Sequence, residues 1–317
     1  LTVEASLGET IVLQRLGLHE ENLVDQATHS YVYYPGCSQH STGLEYGLST
    51  QAVFQHLGME LDELPDWNCC GASSAHAFSH TLALALPARN LALAQARGSD
   101  FVTPCAACYN RIKGADYALR TEAETRAKLE ELIGFTYTGQ MRIRPVMGVL
   151  YDDYGPGRLA ERVQRPLNGL KVVPYYGCLL VRPPQVAQFD DPDNPQVMGR
   201  ILRALGAQVM DWSHATDCCG AGLSLSRADL VKDLVDRLAE RAREAGAQAF
   251  VTGCPLCQMN LEMRQTGEAT GSPANKLPAF YITEVIGLAL GLPETEKWWR
   301  KHLIDPRPLL QAVGLSS

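Results

Sequence analysis

The chemistry of this 317-residue chain is carried by ten cysteines in two runs of five: Cys37, Cys69, Cys70, Cys105 and Cys108, then Cys178, Cys218, Cys219, Cys254 and Cys257. Thiolates are soft metal ligands and redox-active nucleophiles, so such a concentration points to metal binding, disulfide chemistry or both. Each run holds a vicinal pair, in Asn68-Cys69-Cys70-Gly71 and in Asp217-Cys218-Cys219-Gly220. Adjacent side chains leave the backbone in different directions, so one tetrahedral ion has little use for both. A larger inorganic unit suits them, with two adjacent sulfurs binding different metal atoms or together capping one.

The runs read C-x31-CC-x34-C-x2-C and C-x39-CC-x34-C-x2-C, so every cysteine from Cys69 to Cys108 recurs 149 positions later. The flanks recur as well: YYPGC against YYGC, CCGA against CCGA, FVTPCAAC against FVTGCPLC. Chance does not reproduce four offsets and their surroundings. The chain is a two-copy duplication, each copy the size of a domain.

The elements that must position the cysteines alternate between strand and helix. Tyr31 to Tyr34 reads as a strand, Leu44 to Leu57 as a helix with Leu48, Val53, Phe54 and Leu57 on its buried side, Leu82 to Ala96 as a helix, and Phe101 to Thr103 as a buried strand. The second copy follows with a strand at Lys171 to Tyr176, helices at Val197 to Leu205 and Leu230 to Ala245, and a strand at Phe250 to Thr252. This order predicts an α/β fold of two tandem domains related by a pseudo-twofold axis, each a mostly parallel sheet flanked by helices. The expected boundaries are an N-terminal extension over 1–30, domains over 31–133 and 170–292, a linker over 134–169 and a tail over 293–317. Cys37, Cys105, Cys178 and Cys254 then follow strands, where open α/β sheets collect ligands. Cys108 and Cys257 lie just inside helices whose first N–H groups are free, and Gly71 and Gly220 permit sharp turns; both features favour an anionic group.

Structural zinc takes four ligands and would leave one thiolate over in each run. A cubane cluster also uses four. Five sulfurs favour something larger than one ion and less symmetric than a cube. The alternatives are a zinc-binding scaffold and a redox-active C-x2-C dithiol.

The doubled cysteine pattern with YYPGC, DWNCCGA and the C-x2-C words resembles the CCG-domain (cysteine-rich) family, in the duplicated form found in heterodisulfide reductase. The resemblance spans about Tyr31 to Arg264 and includes all ten cysteines. It implies two non-cubane [4Fe-4S] clusters, one on Cys37, Cys69, Cys70, Cys105 and Cys108, the other on Cys178, Cys218, Cys219, Cys254 and Cys257. It further implies reduction of a disulfide to two thiols, or the reverse oxidation, within a heterodisulfide reductase-like complex whose other members are ferredoxin-like and flavin-containing. Other CCG proteins serve quinone-linked dehydrogenases of the succinate, lactate or glycolate type, which is the rival reading.

Splitting a disulfide also takes protons. Of the histidines near the cysteines, His40, His76, His80 and His214, none recurs at its repeat position; His40 and His76 are the candidate proton donors. The tail Lys297-Trp298-Trp299-Arg300-Lys301-His302 suits either a membrane surface or packing on its own domain or a partner, and packing is the expectation. The composition is 46% hydrophobic and 20% charged with a net charge of −7 and no basic cluster, which is globular and offers no footprint for nucleic acid. With acidic residues in place of a signal-peptide pattern at the start, a cytoplasmic location is expected.

Overall fold

A computed structural model describes residues 29–72, 75–266 and 276–316. The N-terminal extension expected over 1–30 therefore lies outside the described residues apart from its last two, and Ser30 already begins a strand. Two four-stranded, all-parallel sheets form the frame. The first is built from β1 (Ser30–Tyr33), β2 (Glu60–Glu63), β3 (Phe101–Thr103) and β4 (Ile143–Pro145), in the order β2-β1-β3-β4. The second is built from β5 (Lys171–Tyr175), β6 (Gln208–Val209), β7 (Ala249–Thr252) and β8 (Ala279–Tyr281), in the order β6-β5-β7-β8. The topologies are identical, as duplication requires. Parallel strands need crossover connections, and helices supply them on both sheets.

β3 and β7 are buried along their whole length, and Val32 pairs with Phe101 as Val173 pairs with Phe250. Helix Leu44–His56 follows β1 as Val197–Ala204 follows β5, and Ala106–Thr121 follows β3 as Pro255–Gln265 follows β7. Helix His80–Gln95 is capped by Ser79, whose hydroxyl accepts from the Leu82 N–H at 3.4 Å.

Two expectations are corrected by tertiary packing. Segment 134–169 is more than a linker, because β4 lies within it and completes the first sheet beside β3. A three-residue strand followed at once by helix Val146–Val149 is too short to show a period of two. Leu48 does not face the core; it is 47% exposed, and helix Leu44–His56 instead buries Tyr46, Ser49, Thr50, Val53 and Phe54. That helix packs against helix Ile282–Ala289 of the other half as well as against its own sheet, which turns polar Ser49 inward to meet Thr283 at 2.6 Å.

The contacts between halves are reciprocal, as a twofold relation demands. Helix Ala106–Thr121 packs on the turn after Cys178, with the Asn110 amide donating to the carbonyls of Leu179 (3.0 Å) and Arg182 (2.8 Å). Helix Pro255–Gln265 packs on the single 3-10 turn Cys37–His40. The tail folds back onto the second half: Trp298 and Trp299 are buried, and the His302 imidazole lies between Glu262 (2.7 Å) and Glu284 (3.2 Å). Both indoles are therefore part of the core.

Candidate metal centre

Each run of five cysteines converges at the C-terminal end of its sheet. In the first half Cys70 Sγ lies 3.3 Å from Cys108 Sγ and Cys69 Sγ 3.9 Å from Cys37 Sγ. In the second, Cys219 Sγ lies 3.6 Å from Cys257 Sγ, and Cys178 adjoins Cys218. Cys70, Cys105 and Cys108 are buried, as are Cys219, Cys254 and Cys257, whereas Cys37 and Cys218 are exposed and Cys69 and Cys178 half-exposed. Each nest therefore has a closed floor of three sulfurs and an open edge of two. Cys105 and Cys254 adjoin across the boundary between halves, close to the Ala106 N–H, which donates to the Gly253 carbonyl at 3.3 Å.

The backbone around the sulfurs is shaped for bulk and for negative charge. Gly36 and Gly177 have φ of +74° and +62°, and a Cβ there would stand 2.9 Å from Cys108 Sγ and 3.2 Å from Cys257 Sγ. Only glycine tolerates both the conformation and the approach. The N–H groups of Gly71 and Gly220 point at Cys69 Sγ (3.4 Å) and Cys218 Sγ (3.3 Å), each following its vicinal pair at positive φ. The Cys37 thiol and the Gly71 amide together draw the Cys69 thiol down, and the Cys178 thiol and Gly220 amide draw Cys218 down to about 6. Cys37 and Cys178 rise correspondingly. Five sulfurs, glycine approaches and inward amides suit an iron–sulfur unit that needs thiolates and donors to its sulfide. Among the described residues no three His, Cys, Asp or Glu side chains close on one point as a single ion requires.

The cysteine-rich domain that defines the CCG family matches this chain twice, over residues 31–113 and 172–262. The chain belongs to the CCG cysteine-rich family. Its CCG repeats sit within a likeness that extends over most of the chain. It is 31% identical over 278 residues to a heterodisulfide reductase B-subunit-like protein of Archaeoglobus profundus, covering 82% of this chain and 90% of that one. It is 30% identical over 281 residues to the 8-methylmenaquinol:fumarate reductase membrane anchor subunit of Wolinella succinogenes, covering 88% and 98%. A hypothetical protein from Helicobacter pylori shares the fold, with a TM-score of 0.69 at 13% identity, over 89% of this chain and 53% of that one. No helix among the described residues is long and apolar enough to cross a membrane.

Each CCG domain also carries aromatic residues that sequence reasoning missed. The Tyr34 hydroxyl donates to the Asn68 carbonyl at 2.9 Å, and the Tyr175 hydroxyl to the Asp217 carbonyl at 2.7 Å, so each tyrosine ties down the residue before its vicinal pair. Burial and then the four cysteines around each ring hold both phenols well above their usual range. The signal was available: the two tyrosines recur at the same offset of 141 as Cys37 and Cys178. Trp67 packs edge-on against Tyr34 at 5.4 Å, and Trp212 lies against Tyr175 at 6.1 Å. Of the expected proton donors, His40 ends the turn that begins at Cys37 and stacks on Trp67 at 5.5 Å. His76 stands exposed on the short helix Ala75–Phe78.

Proposed function

We propose that this chain is the iron–sulfur subunit of a heterodisulfide reductase-like complex, reducing a disulfide to two thiols or running the reverse oxidation of a thiol or sulfane sulfur. On this reading the ten cysteines are all ligands, five to each of two non-cubane [4Fe-4S] clusters. Such clusters supply one-electron redox chemistry when bound. The observation that carries the reading is the pairing of the nests: Cys105 and Cys254 adjoin across the boundary while Cys37 and Cys218 face solvent. A disulfide is itself nearly twofold symmetric and takes two electrons, so adjoining one-electron sites match it.

The chain's own part is to hold charge and exclude water. The amides of Gly71 and Gly220 and the helix starts at Ala106 and Pro255 face negative charge. The three buried sulfurs of each nest keep water from its floor. Electrons must arrive from elsewhere, since the sequence has neither a C-x2-C-x2-C-x3-C-P run nor a G-x-G-x-x-G fingerprint. Ferredoxin-like and flavin-containing members of the same complex would fill that role, in the cytoplasm.

A second reading rests on the Wolinella relative, which this chain matches over 98% of its length: a CCG subunit that passes electrons between a flavoprotein and a quinone. Both readings need the clusters, and only the first needs a sulfur substrate. Cys219→Ala in anaerobically purified protein should halve iron content, from about eight atoms per chain, and abolish reduction of a small disulfide by reduced viologen. Zinc in place of iron, or full turnover in the variant, overturns the reading.

A further inference from the structure

Two threonines at the floor of the sheets carry hydroxyls that the protein itself does not satisfy. Thr103 ends β3 and Thr252 ends β7; both are wholly buried, and neither Oγ1 has a hydrogen-bond partner among the described residues. They stand 149 positions apart, the offset that relates the cysteines, in Phe-Val-Thr-Pro-Cys and Phe-Val-Thr-Gly-Cys. The Tyr46 hydroxyl is also unpartnered, but Ala187 and Pro195 stand 141 and 149 positions beyond it, so it has no such counterpart. A buried hydroxyl without a partner is destabilising, and valine would fill nearly the same space without one.

The sheets fix which way these side chains lie. Alternate residues of a strand share a face, so Thr103 lies on the face of Phe101 and Thr252 on the face of Phe250. The Phe101 ring stacks on Tyr34 at 5.6 Å, and the Phe250 ring meets Tyr175 at 6.2 Å. Tyr175 is the register partner of Thr252. Tyr34 stands one place beyond the pair of Tyr33 with Val102, beside Thr103, and its N–H donates to the Val102 carbonyl at 2.8 Å. These are the two tyrosines whose rings lie among four of the five sulfurs of their nests. Two residues beyond the threonines, in extended backbone, come Cys105 and Cys254. Each threonine is thus flanked by the nest tyrosine across the ladder and by a nest cysteine along the chain.

We infer that the Thr103 and Thr252 hydroxyls each donate a hydrogen bond to the iron–sulfur unit of their own nest and make that unit easier to reduce. The inference rests on the iron–sulfur reading above. The sulfurs of such a unit gain negative charge on reduction, so a donor held against one of them favours the reduced form. Burial strengthens the effect, because no water competes for the sulfur. The hydroxyl keeps its proton in both redox states.

The test is a reductive titration of anaerobically purified, iron-loaded protein, followed by electron paramagnetic resonance and requiring no turnover. Thr103→Val and Thr252→Val should each keep about eight iron atoms per chain. Half of the cluster signal should become about tenfold harder to reduce, which is a potential lower by about 59 mV. The half affected should differ between the two variants, and the double variant should lower both. Thr103→Ser and Thr252→Ser, which keep the hydroxyl, should titrate as the wild type does. Where valine prevents loading, Thr103→Ala and Thr252→Ala take its place with the same expected shift. Unmoved potentials in the loaded Val or Ala variants, the same half moved by both, or Ser variants shifted as far as the Val variants overturn the inference and leave the iron–sulfur reading standing. Wild-type protein that holds zinc in place of iron overturns both.

Discussion

The rings of Tyr46 and Tyr281 stack face to face across the boundary between the halves, 4.3 Å apart and within 6° of parallel. Tyr281 ends β8, and its hydroxyl donates to Gln258 at 3.4 Å; the Tyr46 hydroxyl is buried with no partner among the described residues. The pair is therefore an apolar clamp with one uncompensated polar atom. Tyr46→Phe should leave stability unchanged or raise it by about 1 kcal/mol, because a buried hydroxyl without a partner costs that much. Tyr46→Ala should cost about 3–5 kcal/mol and loosen the pairing of the nests. Urea unfolding of the two variants measures both.

Gly36 bears on loading of the first nest alone. With φ at +74° and Cys108 Sγ 2.9 Å from the site of a Cβ, Gly36→Ala should displace the sulfur or the turn that carries Cys37. Iron content should fall by about half, with the second nest still loaded. Full iron in the variant would show that the approach is not needed.

Glu45 makes stability depend on pH. Burial pushes its carboxyl up to about 7 from 4.5, with Glu284 and Glu262 adding repulsion against the pull of His302. A carboxyl with a raised folded-state pKa binds more protons folded than unfolded, so its contribution is present below about 4.5 and is lost as pH climbs to about 7. Glu45→Gln should therefore flatten the fall in melting temperature between pH 5 and 7.5, by about 2–4 °C per kcal/mol recovered. An unchanged slope would mean that Glu45 is ionised at little cost.

His302 anchors the tail. Burial opposes its charge, but Glu284 and Glu262 outweigh that and hold the imidazole well above its usual range. His302→Gln leaves two buried carboxylates without their cation and should cost about 3–5 kcal/mol. Limited proteolysis should then cut near Trp298 and Trp299, which the wild type shields.

The ligand sets, the duplication and the alternation of strand and helix are legible in the sequence because they rest on local spacing. Cysteines at fixed offsets, short apolar runs and glycine turns survive in one dimension. The edge strands β2 and β6 are not legible: Glu60 to Glu63 is acidic and largely solvent-facing, and it becomes a strand only because β1 offers its edge. β4 and the inward turn of Ser49 escape for the same reason, since each depends on a neighbour far away in the chain. The tyrosines at the nests recur visibly in YYPGC and YYGC, but their role escapes because each hydroxyl bonds a carbonyl 34 or 42 residues away.

What the sequence determined by itself is the donor chemistry: five thiolates in each half, with glycines where a bulky anionic group must approach. Only the tertiary structure decided which sulfurs are sealed in and which face outward, and that Cys105 meets Cys254. Those relations join residues that lie far apart in the chain or on unlike elements. Packing of the two halves against one another, with the entropy of the intervening chain already spent, is what brings them together.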